Sequence, residues 1–164
     1  MNENPNAIEE TNDTLVEVVD TKTDNELYKE RNSISRYKMR EQAMLLVFEN
    51  LFHNADVDEL ADNLIDSRDI YLSDHAIEVA KAIVEKQEEL DEKISSHLSK
   101  GWKISRISKV SLAILRVAVY EIYYSEEAPV SVAINEAVEL SKKYTPDDAK
   151  FVNGVLGAVA GDLG

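Results

Sequence analysis

The sequence has no cysteine, which excludes a disulfide framework, thiol catalysis and cysteine-ligated zinc. It lacks a glycine-rich phosphate loop, a nucleophile elbow and any motif that pairs an acid with a base, so catalysis has no visible address. The start, Met1 to Glu10, is polar and acidic, without the basic and then apolar regions of a secretory signal. The longest apolar run, Val110 to Tyr120, is too short to span a bilayer and contains Arg116. A cytoplasmic protein is the consistent expectation. Basic residues are also scarce, 18 against 32 acids, for a net charge of -14 and a pI of about 4.6. A long-range negative field repels nucleic acid, so any nucleic-acid site has to be a local basic island.

What is present is enough for one core: 44 % of the 164 residues are hydrophobic, and a separate second domain is not expected. Residues 1–34 carry nine acids against three bases, a balance of -6, and little apolar pattern beyond Leu15-Val16-Glu17-Val18-Val19. They read as a disordered acidic extension, followed by a helical domain over 35–164.

From Ser35 onward the apolar spacing is helical and no alternating strand pattern occurs, so the fold class is all-α. A first helix is predicted from about Arg36 to Phe52 on the stripe Ala43, Met44, Val47, Phe48 and Leu51. A second starts near Asp56 on Val57, Leu60, Ala61, Leu64 and Ile65. A third begins after the N-cap candidate Ser73 and keeps phase to Leu98, stopping near Gly101. The stretch from about Ser105 to Tyr124 is apolar on nearly every side, which predicts a central helix enclosed by the others. Pro129 breaks the chain, Ser131 is the cap candidate for a fifth helix to Tyr144, and Thr145-Pro146-Asp147-Asp148 opens a sixth that runs to about Ala160. Gly154 and Gly157 each cost that last helix about 1 kcal/mol of propensity relative to Ala, so a close crossing of a neighbouring helix at Gly154 is expected.

The basic residues are unevenly placed. Between Lys93 and Tyr120 there is no acid, while Lys93, Lys100, Lys103, Arg106, Lys109 and Arg116 form a positive belt. A binding face and a solvated junction with Arg116 offsetting Glu121 explain it equally well. Arg36, Tyr37, Lys38 and Arg40 form a second island, and Lys142, Lys143, Tyr144, Lys150 and Phe151 bracket the last turn as a third. Cations mixed with aromatics suit single-stranded RNA, whose phosphates pair with Lys or Arg and whose unstacked bases lie on rings. Core packing explains Tyr37 and Phe151 as well. Asp74-His75 with Glu78 is the one metal-like grouping in the sequence, and a solvated first turn accounts for it.

Several blocks carry a more specific signal. Arg40-Glu41 with the apolar run to Phe48, Trp102, Ile114-Leu115-Arg116-Val117-Ala118-Val119-Tyr120-Glu121, Val132 to Leu140, and Phe151-Val152-Asn153-Gly154-Val155-Leu156 together resemble the NusB family of bacterial transcription antitermination factors. The likeness spans roughly Arg36 to Gly157. It implies a NusB-like fold of two small helical subdomains and a non-enzymatic RNA-binding role without cofactor or metal. It further implies binding of the boxA element of ribosomal RNA leaders together with NusE, a small-subunit ribosomal protein, within the antitermination complex of RNA polymerase. On that basis Arg36, Tyr37, Lys38, Arg40, Lys150 and Phe151 are the expected RNA-binding residues, and Lys103, Arg106, Lys109 and Ser111 the expected partner-binding residues. Ser111-Leu112-Ala113 stands where the family usually has an acidic and then a basic residue, and the first helix has only Arg36, Lys38 and Arg40 of a usually denser basic run. The competing reading is a NusB-like protein-interaction module without RNA recognition. An rRNA cytosine methyltransferase, in which similar domains precede a catalytic one, is the poorer alternative, because no cofactor-binding segment is present.

Overall fold

The computed structural model describes Thr23 and residues 36–68, 70–126 and 128–163; the extension read from 1–34 otherwise lies outside the described residues. Every regular element among them is helical: α1 (Arg36–Phe52), α2 (Val57–Arg68), α3 (Asp74–Glu85), α4 (Gln87–Ser95), α5 (Lys109–Tyr124), α6 (Val130–Tyr144) and α7 (Ala149–Gly161), with short 3-10 turns at Ile104–Arg106 and Pro146–Asp148. No helix among the described residues is long and apolar enough to cross a membrane.

The helices fall into two groups, α1 to α3 and α5 to α7, that share one continuous core. α5 is central, as its sequence requires. Ala113 to Val119 are all buried on it, and it packs against α1, α3, α4, α6 and α7. An α1 stripe of Ala43, Met44, Leu46 and Val47 is buried, whereas Phe48 and Leu51, predicted in the same stripe, are only half-buried near the end of the helix.

Three local expectations change. The long third helix is two: at Lys86 the backbone leaves helical geometry (φ -95°, ψ 12°), closing α3 and opening α4. α3 packs chiefly on α1 and α4 on α5, and a straight rod cannot follow both. Ser73 does cap α3, its hydroxyl accepting from the Ala76 amide at 3.1 Å. Ser131 does not cap α6. The extended Pro129 offers its carbonyl to the amides of Val132 (3.0 Å) and Ala133 (3.2 Å), so the helix begins before Ser131. Gly154 is the third. It faces water, and a Cβ built there meets nothing within 4 Å, so it marks no helix crossing.

Gly101 does need its freedom: its φ of +89° lies in the left-handed region that L side chains avoid, and it turns the chain between α4 and the segment leading to α5. The suggested Arg116–Glu121 pair does not form. Five residues apart on one helix, the two side chains point roughly 140° away from each other. Glu121 instead takes Arg40 of α1, and Arg116 takes Asp91 of α4.

Candidate nucleic-acid and partner interface

The start of α1 sets out its charges by helical phase. Arg36 and Lys38 are exposed, Tyr37 is half-buried against the core, and Arg40 is turned inward with 6 % of its surface exposed. The Arg40 guanidinium donates from Nε to both carboxylate oxygens of Glu121 at 3.0 and 2.8 Å, and from Nη2 to the same carboxylate. A fork so engaged is a structural tie between α1 and α5. Arg40 is therefore held inward and is not presented at the surface with Arg36 and Lys38. Sequence spacing put it in the basic island; its inward phase, one turn before the buried Ala43 and Met44, was the signal against it.

Glu41, the next residue, is also buried, and its carboxylate gathers the far end of α6. It accepts from Lys143 Nζ at 2.6 Å, from the Tyr144 hydroxyl at 2.8 Å and from Lys38 Nζ at 3.2 Å. Burial pushes the Glu41 carboxyl up, but hydrogen bonds from Lys143, Tyr144 and Lys38 outweigh it and hold the group below the ordinary carboxylate range. The same carboxylate raises the Lys143 ammonium, and burial followed by Glu41 raises the Tyr144 phenol. Glu41 thus stays charged at neutral pH.

On the other side of the α6–α7 turn lies a second arrangement. Asp148 accepts hydroxyl hydrogen bonds from Ser111 (2.6 Å), Ser108 (3.1 Å) and Thr145 (3.2 Å). The Ser111 bond first, then those of Ser108 and Thr145, hold its carboxyl below the usual range. Ser108 meanwhile caps α5, its oxygen accepting from the Ser111 amide at 3.2 Å. This lock fixes the turn against the start of α5. It also holds Ser111, expected at the partner face, inside the fold, where it is fully buried and bound to Asp148.

Above the lock, Trp102 is 47 % exposed and lies 5.6 Å from the Phe151 ring, centroid to centroid, at 35°. Trp102, Arg106, Ile107, Ser108, Asp148 and Phe151 line one shallow cleft. Lys103 and Lys150 are exposed next to these rings in the chain. The fold therefore brings the expected RNA residue Phe151 together with the expected partner residue Arg106, and adds Trp102, which the sequence singled out by resemblance alone. Lys109 lies elsewhere: its ammonium sits 4.5 Å over the ring of Phe52, which is 52 % exposed and packs edge-on against Phe48 at 4.9 Å. That ridge, at the junction of α1 and α5, exposes an apolar surface flanked by a cation. Among the described residues no three His, Asp or Glu side chains come together as a metal site.

The molecule is an all-helical scaffold of two helical groups with cation-flanked aromatic surfaces and a locked interhelical turn. The chain belongs to the NusB family: the family's model matches residues 37–161. It is 42 % identical over 129 residues to the transcription antitermination protein NusB of Acetivibrio thermocellus, covering 77 % of this chain and 88 % of that one. The NusB of Clostridium botulinum (strain Kyoto / Type A2) is 42 % identical over 141 residues, covering 76 % and 98 %. Among solved structures, the chain superposes on Thermotoga maritima NusB (TM-score 0.65, 30 % identity, 77 % of this chain and 91 % of that one). It also matches a chain of a NusB–NusE complex with double-stranded RNA (TM-score 0.65, 30 % identity, 77 % and 97 %). A chain in a structure described as a plectonemic RNA supercoil matches with TM-score 0.69 and 30 % identity over 79 % and 97 %.

Proposed function

We propose that this protein is a non-enzymatic, cytoplasmic adaptor that binds boxA-type leader RNA of ribosomal RNA operons together with NusE, and delivers that pair to the antitermination complex of RNA polymerase. The observation that carries the reading is the exposed Trp102 packed on the half-buried Phe151 beside Arg106, Lys103 and Lys150, on a protein whose overall charge is strongly negative. An exposed aromatic face accepts unpaired bases of any identity, and neighbouring cations hold the backbone. Exposed Arg36 and Lys38 extend the cationic surface at the start of α1. The Phe52 ridge with Lys109 suits a protein partner: an aromatic anchor rimmed by charge is the composition of interface centres. A family neighbour solved with both NusE and RNA supports the same pairing here.

The test is a binding measurement with a labelled boxA-type oligonucleotide, with and without NusE. Tighter binding in the presence of NusE is expected. Binding of NusE with no RNA affinity in either arm would favour the interaction-module reading.

A further inference from the structure

The cleft beside the α6–α7 turn combines a stacking face with one acceptor and one donor. Its volume is about 150 Å³, with Trp102 as an exposed indole and buried Ile107 as an apolar wall. Asp148 lines it too, and the three hydroxyls of the lock all reach the same oxygen, Oδ2. None of the described residues donates to the other oxygen, Oδ1. The hydroxyl of Ser111 first, then those of Ser108 and Thr145, keep the carboxyl ionised at neutral pH, so Oδ1 can accept and cannot donate. Arg106, exposed on the same lining, pairs with no carboxylate among the described residues, and its guanidinium can donate and cannot accept. A base stacked in this cleft meets that acceptor and that donor at its edge. Guanine alone among the RNA bases sets two adjacent donors, N1–H and N2–H, beside an acceptor, O6. Adenine and cytosine offer one amino group next to a ring nitrogen, and uracil places its single donor between two carbonyls that the carboxylate repels.

We propose that this cleft reads an unpaired guanine of the bound RNA: the base stacks on Trp102, its N1–H and N2–H converge on Oδ1 of Asp148, and Arg106 donates to O6. This rests on the RNA-binding reading and adds to it a base preference that an aromatic face alone does not have. Asp148 thereby has two roles on two oxygens, Oδ2 for the lock and Oδ1 for the base.

The experiment uses the full chain with NusE and a labelled boxA-type oligonucleotide, displaced by short unlabelled uridine strands that differ only at one central residue. The strand with guanosine there should compete about fivefold or more better than the all-uridine strand, the low end for one bidentate base contact. Inosine, which keeps O6 and N1–H but lacks the N2 amino group, should fall between them. Asp148→Asn keeps an acceptor for the lock and should leave helicity unchanged, yet bring the guanosine-to-uridine ratio close to one. Arg106→Ala touches no part of the lock and should lower the same ratio, which keeps the test open if the asparagine variant fails to fold. Lys103→Gln removes a cation outside the cleft and should weaken all strands alike with the ratio kept. Free GMP should compete far less well than the guanosine strand; equal competition would assign the cleft to a free nucleotide and overturn the RNA source. Equal competition by all strands in the parent, or a ratio unchanged in both Asp148→Asn and Arg106→Ala, overturns guanine reading while leaving RNA binding in place. A parent that does not bind the labelled oligonucleotide with NusE present overturns the RNA reading itself.

Discussion

Arg116 of α5 grips Asp91 of α4 through two parallel hydrogen bonds, Nε to one carboxylate oxygen and Nη2 to the other, each 2.7 Å. The arginine side chain is 4 % exposed and the aspartate 25 %. Such a fork is geometrically specific, and its strength shows mainly when one partner is removed and the other stays buried and charged. Asp91→Ala should therefore destabilise by about 2 to 4 kcal/mol, somewhat below the full buried-pair cost because water reaches Asp91. Urea titration followed by helicity gives the number. A loss under half a kcal/mol would show that solvent replaces the aspartate.

Much of this fold was legible in the sequence, because helical periodicity reports burial directly. The enclosed character of α5, the α2 stripe of Val57, Leu60, Ala61 and Leu64 and the Ser73 cap all follow from local spacing, while Ile65, expected in the same stripe, is exposed at the end of the helix. The pairing of charges did not, since it depends on which helices lie side by side. Arg40 and Arg116 look alike as basic residues in otherwise apolar stretches, and only tertiary packing assigns Glu121 to one and Asp91 to the other. The same limit hid the Asp148 lock: Ser108 and Ser111 are 40 and 37 residues from Asp148. Phe151 was visible as an aromatic beside Lys150, but its partner Trp102 lies beyond two intervening helices. The break at Lys86 was missed because its apolar phase continues through Gln87 to Leu90 and Ile94.

Gly154 provides a second prediction, opposite in sign to the one that sequence alone suggests. Since a Cβ there meets open space, Gly154→Ala should stabilise the protein by about 0.5 to 1 kcal/mol, through helix propensity and a less disordered unfolded chain. Gly154→Leu should fold without strain. A drop in melting temperature for the alanine variant would show that the surface it faces is occupied.

His97 makes one edge of the fold pH-sensitive. Its Nδ1 donates to the Lys93 carbonyl at 2.7 Å near the end of α4, and its Nε2 meets the carboxylate of Asp162 just beyond α7. The backbone bond to Lys93 first, then Asp162, raise the imidazole above its ordinary value near 6.5 despite partial burial. A raised folded value means that the folded state binds the proton more tightly than the unfolded state. The clasp then contributes fully below about pH 6.5 and fades as pH rises through the folded value. Melting temperature should fall over that window in the parent and stay flatter in His97→Gln. Parallel curves for the two proteins would sink the assignment.

The Asp148 lock should be costly to open. Asp148→Ala leaves the fully buried Ser111 hydroxyl without its acceptor, a penalty of about 1 to 3 kcal/mol. Asp148→Asn keeps an acceptor and should cost less. Because Phe151 follows this turn directly and its ring packs against Trp102, the alanine variant should also weaken RNA binding; unchanged affinity together with a lowered melting temperature would confine the lock to stability.

Trp102 is the chain's single tryptophan, so its fluorescence reports on the proposed stacking surface alone. A base stacked on the indole should quench that emission as boxA-type RNA is added with NusE present. Trp102→Ala should cost on the order of 1 to 3 kcal/mol of binding with little change in salt slope, because stacking releases no counterions. Arg36→Gln with Lys38→Gln should do the reverse, flattening the slope by about 1.4, two contacts of roughly 0.7 each, while sparing the fold. Phe151→Ala is the less clean probe, since that ring also packs against the core and its loss should lower stability as well. The two classes of variant therefore separate on salt dependence. If RNA binds with no change in Trp102 emission and Trp102→Ala retains parental affinity, the exposed indole does not hold a base, and the cations carry the contact.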